Sequence, residues 1–156
     1  MNPIYVVSKL SPKTTAFNSS GGVAEYDQAL CAALTKGVKP KHLNAFKLKY
    51  CHDYTCAYDL GLQLWDEALM IASREGWHRP KGKECVRRMA DLAIAEVALP
   101  RYFNSDVARA AFVGMEKTRW HRIGRHQYEL VYLAFEEWCS EAFRVILDNQ
   151  RGDESD

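Results

Sequence analysis

The stretch from Tyr128 to Ile146 does most to limit what this chain can become. Tyr128, Val131, Tyr132, Phe135, Trp138, Cys139, Ala142 and Ile146 form an apolar stripe broken by charged residues. Residues three and four apart share one side of a helix, whereas a half-buried strand needs strict alternation. The spacing predicts one long amphipathic helix, and such a stripe needs other helices to cover it. The same period recurs upstream. Val23, Tyr26, Leu30 and Ala33 mark a helix stopped by Gly37 and Pro40. A second helix is predicted from Pro40 to about Cys51, with Pro in the first turn, where its missing N–H is not needed. A third runs from about Tyr54 to Arg74, with Leu60, Leu64, Trp65, Ala68, Ile71 and Ala72 inward. A fourth carries Val86, Met89, Ala93 and Val97 and ends at Pro100. No alternating run follows Val7, and no Asn-Gly or Asp-Gly hairpin turn occurs. The expectation is an all-α fold: a compact bundle of six or seven helices with an irregular N-terminal arm.

The organisation read from composition is an arm over 1–22, a single helical domain over 23–150 and a polar, frayed tail over 151–156. At 156 residues a chain buries roughly 68–70% of its unfolded surface, enough for a core without staples. The five cysteines are odd in number and irregularly spaced. They read as free thiols in a reducing cytoplasm. The longest run without Asp, Glu, Lys or Arg is Thr14–Ala24, eleven residues. A membrane helix needs about 20 apolar ones, so no membrane partner is expected.

Formal net charge is +1, but the charge is unevenly placed. From Arg101 to His126 there are six basic residues against Asp106 and Glu116; from Gln127 onward eight acids face only Arg144 and Arg151. Two more basic runs are Lys36, Lys39, Lys41, Lys47, Lys49 and Arg79, Lys81, Lys83, Arg87, Arg88. Any one run reads as a solvated face. Together they fit the electrostatic footprint of nucleic-acid binding, in which clustered cations neutralise phosphates.

The segment SDVARAAFVGMEKTRWHRIGR, residues 105–125, gives that charge a frame. Asn104 or Ser105 can cap a helix. Ala110 is small where two helices would cross, and Gly114 permits the positive φ of a sharp turn. Val113, Met115, Trp120 and Ile123 pin a second helix that starts near Glu116. This is the pattern of a helix-turn-helix. Its outward positions are Lys117, Thr118, His121, Arg122 and Arg125. Arg forks onto guanine O6 and N7, and Lys or Thr reaches phosphates or base edges. Arg109 departs from the pattern, standing where an apolar residue is usual. Gly124 either ends the second helix or kinks it into the long one. The plainer alternative is a helical hairpin with a glycine at its bend.

Catalytic and metal chemistry find little footing. Cys51, His52 and Cys56 lack the second pair that a zinc site requires. His121 and His126 fall on different sides of a helix. His52–Asp53 lacks the flanking histidines of a metal phosphohydrolase, and Asp59 with Asp66 reads as a solvated stripe. No phosphate-loop, dinucleotide or nucleophile-elbow string is present. No enzyme, cofactor or metal is expected.

The arm LSPKTTAF…SS, the segment GVKPKHLNAFKLKYCHDYT and the segment VARAAFVGMEKTRWHRIGRHQYELVYLAFEEW together cover most of the chain. They resemble the late-gene antitermination Q proteins of lambdoid-type phages. The paired C-x2-C motifs that hold zinc in the lambda protein are absent, so the likeness is to a zinc-free branch. The resemblance implies a protein of the host bacterial cytoplasm that binds double-stranded DNA near a late promoter. It implies loading onto host RNA polymerase paused with sigma factor bound, and read-through of terminators. In some branches the RNA exit channel is narrowed, which brings in nascent RNA. Lys117, Thr118, Arg119, His121, Arg122 and Arg125 would contact the DNA. Two other readings remain open: a dimeric phage repressor or activator on an operator, and a helical adaptor that binds no DNA.

Overall fold

The computed structural model describes residues 29–77 and 82–154. The arm over 1–22, the helix start at Val23 and Tyr26, and Arg79 and Lys81 lie outside the described residues. Every regular element among the described residues is helical. After helical turns at 29–34, α1 spans Pro40–Cys51, a 3₁₀ turn spans Tyr54–Cys56 and α2 spans Ala57–Glu75. Then come α3 (Gly82–Ala98), α4 (Asp106–Val113) and the short α5 (Lys117–Arg119). A π-helical turn, Trp120–Gly124, carries α5 without interruption into α6, Arg125–Glu154. The helix therefore continues past Arg151, where composition suggests a frayed tail.

The chain divides into two compact units, residues up to Cys56 together with Trp138 onward, and Ala57–Glu137. The first unit is built around Leu34, Phe46, Cys51, Ala142 and Ile146, with Leu30, Cys31, Val38, Phe143 and Leu147 packed on them. Pro40 opens α1 as its fixed φ favours. His52 closes it in the left-handed region at φ 51°, donating its N–H to the Lys47 carbonyl. Asn149 donates from Nδ2 to the carbonyls of Leu34 (2.7 Å) and Lys36 (2.9 Å). Those carbonyls close a helical stretch and lack helical donors, so the amide supplies the partner they need.

In the second unit α2 packs on α3. Leu60, Leu64, Ala68, Ile71 and Ala72 are buried on one side, and Val86, Met89, Ala90 and Ala93 on the other. Trp65, expected inward, is half-buried under the Arg87 guanidinium, 5.0 Å above its ring. Val97 is also half-buried. Trp120, Val131 and Phe135 are wholly buried, and Val113 and Met115 nearly so. The apolar stripe of the last helix is buried as its period requires, except that Tyr132 is half-exposed. Replacing a ring like that of Trp120 by Ala costs about 3–5 kcal/mol, so this seam accounts for much of the unit's cohesion.

Candidate nucleic-acid interface

The 105–125 segment begins with a cap. Ser105 is extended (φ −132°, ψ 151°) and its Oγ accepts from the Ala108 N–H at 3.2 Å. This satisfies one of the free donors that start α4. Asp106 follows in the first turn, where a negative charge suits the helix dipole. Eight residues later the helix stops at Gly114 with φ 75° and ψ 34°. Gly114 donates to the Ala111 carbonyl at 3.2 Å and Met115 to that of Ala110 at 2.9 Å. This pair of bonds is the Schellman closure, which requires a left-handed residue and so favours glycine. Glu116 is extended again, and its carbonyl accepts from Trp120 N–H at 2.8 Å as the next helix begins. Helix, three-residue turn and helix are thus present where the sequence pattern puts them.

The second helix does not end at Gly124. The Arg125 N–H reaches back to the Trp120 carbonyl, five residues away, and that wide turn leads straight into α6. The reason is packing. Gly124 is buried against Met115 and Trp120: a Cβ here would overlap the Met115 sulfur and stand 3.0 Å from the Trp120 ring. The glycine lets the turn residue Met115 fold under the helix that follows it.

Lys117, Thr118, Arg119, His121, Arg122 and Arg125 are all exposed. Among the described residues no ion pair engages Lys117, Arg119 or Arg122. Arg125 differs from them. Its Nη1 lies 3.7 Å from Asp106 Oδ2, and its Nε 3.6 Å from Glu129 Oε1. One of the six proposed contacts is therefore partly held by the protein's own acids.

Behind these cations is a polar hub that the sequence did not announce. Asp106 Oδ1 accepts from the indole N–H of Trp120 at 3.0 Å. That bond, more than the neighbouring Arg125, His121 and Arg109, holds the Asp106 carboxyl below the usual carboxylate range. Arg109 forks onto Glu96 Oε1, its Nε at 3.2 Å and its Nη2 also bonded, with Asp106 Oδ1 3.7 Å from Nη1. The Tyr128 hydroxyl donates to Glu96 Oε2. Burial first, and the Glu96 bond second, push the Tyr128 phenol far above its ordinary value. These groups, with Glu129, Tyr132, Leu133 and Glu136, line a cavity of about 350 Å³. Arg109 breaks the apolar pattern of the motif because it answers a carboxylate on α3. A half-buried Arg inside an otherwise apolar helix face is the signal that such a partner exists.

The other basic runs behave differently. Lys41 lies 4.9 Å above the Trp138 ring and Lys49 5.4 Å above Tyr50. Both, like Lys47, are half-buried, so that run is partly occupied by the protein's own rings. On α3, Lys83, Arg87 and Arg88 are exposed, and Arg88 Nη2 pairs with Glu84 Oε1 at 2.8 Å. Along α6, Arg144 bridges Glu141 (3.0 Å) and Asp148 (3.5 Å).

The thiols near His52 serve the interior. Cys56 Sγ lies 3.1 Å from the Asp53 carbonyl and 3.4 Å from that of Asn44. Cys51 is buried, and burial pushes its thiol up to about 12. Among the described residues no three His, Cys, Asp or Glu side chains stand together as metal ligands, and no helix is long and apolar enough to cross a membrane. No family model, no curated protein and no solved structure matches the chain.

Proposed function

We propose that this protein binds double-stranded DNA through residues 105–125 and acts as a phage transcription antitermination factor. In this reading Lys117, Thr118, Arg119, His121 and Arg122 meet the duplex directly. Arg125 joins them when a phosphate or base edge replaces Asp106 and Glu129. The observation that carries the DNA reading is the Gly114 closure followed by a helix whose outer side is cationic. A three-residue turn of that form is how a recognition helix is presented to a major groove. The step from DNA binding to antitermination rests on the resemblance to Q proteins. It supplies host RNA polymerase, sigma factor and nascent RNA as partners and the bacterial cytoplasm as the place of action.

Two measurements test this. Affinity for a random-sequence duplex, titrated with salt, is expected to fall with a log–log slope of roughly −4 to −5 if about five phosphates are neutralised. A flat line overturns DNA binding and leaves a protein-binding adaptor. A site selected from a random duplex pool is then placed upstream of an intrinsic terminator and transcribed with bacterial RNA polymerase and sigma. Increased read-through is expected. Unchanged read-through with a two-fold symmetric footprint and a dimer in solution overturns antitermination in favour of an operator-binding regulator.

A further inference from the structure

Arg88 lies far from the 105–125 segment in sequence, yet its guanidinium lies against the turn of the motif. A Cβ built on Gly114 would meet Arg88 Nη1 at 2.5 Å and Cζ at 3.7 Å. The missing side chain of Gly114 therefore does two things. It allows the left-handed closure of α4, and it leaves room for a cation from α3 beside the turn that leads to Lys117 and Thr118. The Arg88 side chain is 45% exposed, and among the described residues it pairs with the more exposed Glu84, at 2.8 Å on the same helix. Exposed i, i+4 pairs of this kind are weak and give way readily to a stronger acceptor. A phosphate offers that, since guanidinium binds two of its oxygens at once.

We infer that Arg88 is a DNA phosphate contact that extends the interface from the recognition helix onto α3. This rests on the DNA-binding reading above. The bland role for Arg88 is to sit at the C-terminal end of α4, whose last turn carries no basic residue of its own. That role affects stability and leaves the salt dependence of DNA binding alone.

The test measures affinity for a random-sequence duplex between 50 and 200 mM salt with the full chain and four variants. Arg88→Ala is expected to make the log–log slope shallower by about 0.9, the value of one phosphate. The wild-type advantage over Arg88→Ala then shrinks about 3.5-fold across that salt range, equally on unrelated duplexes. Arg88→Lys restores the slope, because the charge is kept. Glu84→Gln, which removes the competing carboxylate, tightens binding. If Arg88→Ala lowers thermal stability but keeps the wild-type slope, Arg88 is a helix-end cation and the inference is overturned. If Arg88→Ala and Arg122→Ala both keep that slope while wild type is salt-dependent, the cations lie elsewhere and the 105–125 reading fails with it. A shallower slope for Arg122→Ala alone overturns only the Arg88 assignment.

Discussion

The single helical run from Lys117 to Glu154 begins and ends in contrasting surroundings. Its last turns lie in the first unit, where Ala142 and Ile146 meet Leu34 and Phe46 through apolar side chains and Asn149 adds side-chain bonds to the backbone carbonyls of Leu34 and Lys36. Its first turns lie in the second unit, where the buried Trp120 and Tyr128 each offer one polar atom to a carboxylate, Asp106 and Glu96. An apolar contact has no preferred direction and tolerates a small rotation. A buried donor aimed at a charged acceptor does not, because a missed bond costs its full desolvation. The cationic end is thus oriented by bonds from buried rings to carboxylates, and the other end mainly by apolar bulk, with the Asn149 amide on two backbone carbonyls.

The contrast can be tested by mutation. Phe46→Ala and Trp120→Ala should each cost about 3–5 kcal/mol in urea unfolding, since both remove a fully buried ring. More conservative changes should separate the two ends. Trp120→Phe keeps most of the ring but strands the Asp106 acceptor, and should cost about 1–3 kcal/mol. Phe46→Leu should cost less than about 1.5 kcal/mol. Equal losses would remove the distinction between directed and undirected anchoring.

Two glycines give a smaller effect of opposite sign. Gly124→Ala forces a methyl into the Met115 sulfur and should destabilise by about 1–3 kcal/mol. Gly61→Ala places its methyl at ordinary contact, 3.6 Å from Ile94 and 3.7 Å from Asp91, and should stabilise α2 by about 0.5–1 kcal/mol. Thermal unfolding of both variants reads the signs directly.

Titration should separate the ends most gently. The folded Asp106 carboxyl lies below its ordinary value, so its stabilisation is complete above the unfolded value near 3.9 and is lost as pH falls through the folded one. Asp106→Asn should flatten that acid limb. Cys51 is raised from an ordinary 9.0 to about 12. Its contribution is intact below pH 9.0 and is lost as pH climbs toward about 12. Cys51→Ala should remove the part of the alkaline loss that begins near pH 9.0, keep the part due to the raised Tyr128 phenol, and leave the acid limb untouched.

The contrast also explains what could be read from the sequence. Local chemistry set the bounds of α1, because Pro40 marks its start, and set the frame of the motif, because Ser105 and Gly114 mark the limits of α4. The stripe from Tyr128 to Ile146 was legible because burial follows the helical period. Asp106 with Trp120, and Glu96 with Arg109, were not legible. Their partners stand fourteen and thirteen residues apart on different helices, and no spacing rule reaches across a fold. The lysine run of α1 was misleading for a related reason: charge counts ignore aromatic rings that fold beneath the ammonium groups. Gly124 did carry a signal, since glycine inside a helical pattern points to close packing, but not the wide turn that results.

That wide turn makes the helix one residue longer than ordinary α-winding between Trp120 and Arg125 requires. Deleting a single residue there would let the segment close as ordinary α-helix, and the residues on either side would keep roughly their present bearings about the axis. Lys117, Arg119 and Arg122 would then face much as they do now, while the space that Met115 fills beside Gly124 would close. The surplus residue thus widens the helix at the one point where the chain's own turn has to pass beneath it.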